Sequence, residues 1–135
     1  MKEISKIYNA AEYEDAIYNT WIKSGVFSPK VDNSKTPFSI AMPPPNATGT
    51  LHLGHATMLA VEDIMIRFKR MQGFSALWLP GTDHASIATQ NKVEKLIADE
   101  GLTRQKLGRK EFLKRVNSFV EDSQDTIRNQ IRKMG

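Results

Sequence analysis

No cysteine occurs in the 135 residues, so a disulfide framework and thiolate metal sites are excluded from the start. Histidine is scarce too: His52, His55 and His84 are the only three, too few to assemble a structural zinc site alone, and no metal ligand set is expected in the protein itself. Long apolar runs are missing, and the segment Met1 to Glu14 mixes polar and apolar residues. Neither a membrane span nor a secretory leader is therefore expected, and the reading is a cytoplasmic protein with no membrane partner. Internal repeats and low-complexity tracts are also absent.

What is present fits one domain of modest core. Lys and Arg exceed Asp and Glu by four, and much of the excess lies after Thr103: Arg104, Lys106, Arg109, Lys110, Lys114, Arg115, Arg128, Arg132 and Lys133. This balance favours anionic partners, nucleic acid included, although basic residues spaced along an amphipathic helix also form an ordinary solvated face.

Apolar spacing and breakers divide the chain. Ala10, Tyr13, Ile17, Trp21 and Ile22 recur at helical spacing after Asn9, a candidate cap, and before Gly25, a stop. The short run Pro37 to Met42 reads as a buried strand, and Pro43, Pro44 and Pro45 then forbid helix or central strand. Asn46 to Thr50 form a turn-rich loop. A helix is predicted from about Gly54 to Gln72, its stripe being Ala56, Leu59, Ala60, Ile64, Phe68 and Met71, closed by Gly73. Phe74 to Leu79 reads as a second buried strand, ended by Pro80 and Gly81. A short helix near Thr89 to Asp99 stops at Gly101, and a long one from about Arg109 to Met134 carries Phe112, Val116, Phe119, Val120, Ile127, Ile131 and Met134 on one side. Trp21, Trp78 and Phe74 are expected as apolar core anchors.

Strand, loop, helix and strand from Pro37 to Trp78 have the size of a βαβ unit with parallel strands, an α/β architecture. Ligands of such units sit at the carboxyl ends of the strands. Both loops that leave those ends, Asn46 to His55 and Thr82 to Gln90, should face one crevice.

His52-Leu53-Gly54-His55 lies where the first loop enters its helix. The free N–H groups of a first helical turn attract anions, and two imidazoles three apart share one side of that turn. Gly54 lets a ligand approach the backbone. An imidazole N–H aimed at developing phosphoryl charge stabilises a transition state without a covalent step; the alternative is that one or both histidines cap local backbone.

The segment Pro43 to His55, PPPNATGTLHLGH, resembles the ATP-binding signature of class I aminoacyl-tRNA synthetases. HxGH alone also occurs in nucleotidylyltransferases. The second segment, Gly81 to Gln90, GTDHASIATQ, decides between them and resembles the valine-specific members of the synthetase family, with Thr82 where isoleucine and leucine relatives usually carry tryptophan; Ser86 stands where glycine is more usual. The resemblance covers nearly the whole chain.

It implies the first half of a Rossmann-like nucleotide-binding domain over residues 37–135, preceded by a helical segment, 1–36. It further implies ATP-dependent activation of valine to valyl-adenylate and its transfer to tRNA(Val), with Mg2+ brought by the nucleotide. On these positions His52 and His55 would be catalytic, touching ATP phosphates as electrostatic stabilisers. Thr48 would help hold phosphate, and Gly54 would let adenine or ribose lie against the backbone. Pro44 and Asn46 would line the amino-acid site, and Asp83 would accept hydrogen bonds from the substrate ammonium. The alternative for Asp83 is a helix cap for the segment starting near Ile87, and His84 either touches nucleotide or has a local role. The family's second signature, Lys-Met-Ser-Lys-Ser, is not in the chain, nor are an editing insertion and an anticodon-reading domain. The expectation is a truncated piece whose two strands have exposed edges and which alone binds ATP weakly and charges tRNA negligibly. A synthetase-derived nucleotide- or RNA-binding module without chemistry is the alternative from another class, and an isoleucine- or leucine-type synthetase the alternative within the family.

Overall fold

A computed structural model describes residues 6–28 and 30–135; residues 1–5 and 29 of the expected N-terminal segment lie outside the described ones. Six elements follow one another: α1 (Ala10–Ser24), β1 (Pro37–Ala41), α2 (Leu53–Met71), β2 (Ser75–Leu79), α3 (Ser86–Asp99) and α4 (Arg104–Lys133). The strands are parallel, in register from Pro37 opposite Ser75 to Ala41 opposite Leu79, and α2 crosses between them and packs on both. This is the expected βαβ unit, a mixed α/β arrangement around a small two-stranded sheet.

The breakers act where expected. Gly25 ends α1 in the left-handed region at φ 70°, and its N–H reaches back to the Ile22 carbonyl. Gly108, at φ 73° and ψ 163°, interrupts α4, so the long regular helix resumes at Arg109, where the apolar pattern begins.

Burial departs from the pattern in three places. Both strands are expected to be buried, yet no residue of β1 is, and Leu79 of β2 is 57% exposed. Each strand of a two-stranded sheet has one hydrogen-bonded neighbour and one open edge. In α2 the buried residues are Leu59 and Ile66, whereas Ile64, Phe68 and Met71 of the expected stripe lie exposed. Apolar residues on several sides of this helix allow more than one stripe to be drawn, and contact with the strands selects the one through Ile66. In α1 nothing is buried.

Trp21, Trp78 and Phe74 are half-exposed polar-contact residues rather than core anchors. Arg67 stacks over Trp21 at 5.1 Å, Lys69 over Phe74 at 4.4 Å, and the Trp78 indole N–H donates to Glu62 at 2.8 Å. The Arg67–Trp21 contact, with Arg132 over Tyr18 and Arg70 over Phe27, joins α1 and its following turn to α2 and to the end of α4. The densest apolar cluster lies elsewhere: Val93 and Ile97 of α3 pack with Phe112 of α4, ringed by Leu102, Leu107, Val116 and Phe119. Among the described residues no helix is long and apolar enough to cross a membrane.

Candidate functional site

Parallel pairing continues beyond the strands and ties the two polar loops together. Met42 N–H donates to Leu79 at 3.0 Å; further on, Asp83 N–H donates to the Pro45 carbonyl at 2.9 Å and Ala47 N–H to the Asp83 carbonyl at 2.7 Å. Asn46 and Asp83 thus form a parallel bridge. Ala47 has no exposed surface, so these bonds are shielded from water. Pro44 Cβ lies 3.9 Å from where a side chain at Gly81 would begin, which closes the loops against each other at ordinary van der Waals distance. Pro44, Asn46 and Asp83 therefore share the carboxyl end of the sheet, all three exposed.

The histidine pair occupies the start of α2. His52 is the N-cap residue; its Nδ1 accepts the Gly54 N–H at 3.1 Å, and His55 Nδ1 accepts the His52 N–H at 3.3 Å. The rings lie 3.9 Å apart, centroid to centroid, tilted by 42°. Both imidazoles cap local backbone, the alternative weighed above, and this does not compete with a ligand role. A neutral ring whose Nδ1 accepts carries its proton on Nε2, so each histidine presents one N–H donor on the edge away from the backbone.

The amides of His52 and Gly54 are bonded to imidazoles, so the two ring Nε2 edges join the remaining amides of the first turn as the groups that face outward. Gly54 also has a nearer reason to be glycine than approach of a base. A Cβ there would lie 3.0 Å from Cε1 and 3.1 Å from Nδ1 of His52, displacing the ring.

Asp83 divides its two oxygens. Oδ1 accepts the Ala85 N–H at 3.0 Å, a turn bond two residues on, while Oδ2 has no protein partner among the described residues. It is not the cap of α3. That position belongs to Ala85, held at φ 45° and ψ 53° with no side-chain cap. Thr89, 1% exposed, closes the turn by donating its hydroxyl to the His84 carbonyl at 2.5 Å. The unusual backbone thus falls one residue before Ser86. Thr48 is half-buried beside its Asn46-bonded amide, and His84 leaves its imidazole exposed.

The motif Gly81 to Gln90 contains Ala85 and Thr89 without marking their roles, and nothing in the sequence pattern singled out the glutamines of α4 that reach these loops, Gln124 and Gln130. A glutamine on a polar helix face carries no signature, and only the fold shows what it touches. A groove of about 490 Å³ lies elsewhere, lined by Tyr18, Phe27, Met42, Leu59, Ile64 and Trp78 among others, and holds none of the candidate residues.

A family model described as tRNA synthetases class I (I, L, M and V) matches residues 16–135. The chain is 53% identical to the valine--tRNA ligase of Clostridium acetobutylicum over 133 residues, 98% of its length. It is 50% identical to that of Clostridium perfringens over 134 residues, and 52% identical to that of Streptococcus agalactiae over 134, 99% of its length in each case. It spans 15% of the length of each of these relatives.

Proposed function

The chain belongs to the class I tRNA synthetase family (I, L, M and V), and from that membership we propose that it carries the front of a site that activates valine with ATP for transfer to tRNA(Val). The observation that carries the proposal is the pairing of Asn46 with Asp83, which joins the loop leading to the histidine pair to the loop bearing the carboxylate. The relatives' names supply valine as the amino acid.

In this reading a valine carboxylate oxygen attacks the α-phosphorus of ATP; the new P–O bond forms as the bond to the β-phosphate bridging oxygen breaks, and pyrophosphate leaves with those electrons. His52 and His55 donate from Nε2 to phosphate oxygens that gain charge, acting as stabilisers. Their Nδ1 bonds hold the rings in place before substrate arrives. Thr48 and Gly54 flank the phosphates and nucleoside. Asp83 Oδ2 accepts from the valine ammonium while Oδ1 keeps its turn, and Pro44 and Asn46 line the amino-acid side. A ribose hydroxyl of tRNA(Val) then attacks the activated carbonyl and AMP leaves. Mg2+ would be brought by the nucleotide phosphates and would offset their charge.

The parallel βαβ unit with its loops at the strand ends supports a Rossmann-like domain over 37–135, with 1–36 as a helical lead-in. The cytoplasm, where ATP and tRNA meet, is the proposed location. The test is amino-acid-dependent exchange of pyrophosphate into ATP by the complete gene product containing this chain. Valine should exceed threonine and isoleucine by about a hundredfold, the discrimination a hydrophobic pocket sustains. A preference for isoleucine or leucine would move the assignment within the family, and no exchange with any amino acid would favour a binding module.

A further inference from the structure

Two glutamines of α4 each hold the residue directly before a proposed site residue. Gln130 Oε1 accepts the Leu51 N–H at 2.8 Å, and Leu51 precedes His52. Gln124 Nε2 donates to Thr82 Oγ1 at 3.0 Å, and Thr82 precedes Asp83. Both bonds are partly buried and both cross long stretches of chain. Between the glutamines, Ile127 is 1% exposed, and with Ser123 and Val120 it forms the buried side of α4.

The Leu51 amide belongs to neither the sheet nor the helix, so no regular ladder supplies it with an acceptor. With Gln130 in place, the approach to α2 is fixed at three amides in four residues: Leu51 by Gln130, His52 by the His55 ring and Gly54 by the His52 ring. Releasing the first frees the backbone that sets the torsions of His52. Because His55 is anchored to the His52 amide, the same release reaches the second imidazole.

We infer that Gln130 is a positioning residue for the His52–His55 pair, acting through the Leu51 amide. The inference rests on the reading of the pair as the ATP-facing group. Leu51 requires only an acceptor, so Gln130→Glu keeps the bond and Gln130→Met, of similar length, removes it.

The experiment uses the complete gene product containing the chain. Hydrogen–deuterium exchange is followed in peptides spanning 46–55, and kcat and the KM for ATP are measured in valine-dependent pyrophosphate exchange. Gln130→Met should speed deuterium uptake at Leu51 at least tenfold and lower kcat at least tenfold, with KM within threefold. Gln130→Glu should restore both to within threefold of the parent. The inference is overturned if Gln130→Met leaves both readouts unchanged, if Gln130→Glu is as defective as Gln130→Met, or if only thermal stability falls. Should the parent show no exchange with any amino acid, the proposed function fails, while the deuterium contrast between the two variants still decides whether Gln130 holds the loop.

Discussion

At the scale of single residues the site is a set of shared duties. His52 and His55 use Nδ1 to cap and leave Nε2 to donate, so wherever a ring carries a single proton its nitrogen shifts should show the Nε2–H tautomer. Gly54→Ala should disturb that arrangement with little loss of fold, since its added carbon meets only the His52 ring. Asp83 allows its structural and binding duties to be separated. Asp83→Asn retains an oxygen for the Ala85 N–H but removes the charge. The valine KM should rise about 10- to 100-fold, as loss of a charged hydrogen bond of ~1.5–3 kcal/mol implies, with the thermal midpoint nearly unmoved. An unchanged valine KM would remove Asp83 from the amino-acid site. These residue types were legible in the sequence because glycines, prolines and histidines at fixed spacing carry a mechanism. The division of Asp83 between two oxygens was not, since it depends on the left-handed turn at Ala85.

At the scale of elements, boundaries were legible wherever a breaker stands. Gly25, Gly73, Gly101 and Gly108 all take positive φ at or beside a helix break. Gly108→Ala should cost about 1–3 kcal/mol in urea unfolding, because φ 73° with ψ 163° is a region essentially confined to glycine and open space around the position offers no compensation. Retained stability would mean that the helix runs through. Thr89→Val keeps the shape of a buried side chain but leaves the His84 carbonyl unpaired, and should cost about 1–3 kcal/mol while loosening the Asp83 loop. Which face of a helix is buried was less legible. In α2 several stripes satisfy helical spacing, and in α1 a regular apolar pattern remains uncovered, because periodicity says that a face exists and not what lies against it.

At the scale of the molecule, apolar surface outweighs surface charge. Most ion pairs among the described residues, such as Arg115 with Glu100 at 3.0 Å, are solvent-exposed, and pairs of that kind contribute ~0–1 kcal/mol. The groove beside α1 and α2 is apolar, with Ile64 66% exposed at its edge. A large exposed apolar patch should bind a fluorescent apolar dye on the 135-residue chain, and Ile64→Asp should reduce that signal; an unaffected signal would place the dye elsewhere. The parallel unit and the meeting of its two loops were legible from strand, loop and helix lengths. The role of α4 as a brace across both loops was not, because it rests on pairs of residues 42 and 79 positions apart.

If the histidine pair stabilises charge on the transferring phosphoryl group, removing either imidazole must slow activation itself. Its most direct measurement is the rate of valine-dependent pyrophosphate exchange by the complete gene product with His52→Ala and His55→Ala, at saturating valine and ATP. Each substitution should lower kcat by about 10²- to 10³-fold, the loss typical of one preorganised donor, with the valine KM within threefold. A kcat held within threefold of the parent in both variants would contradict that role.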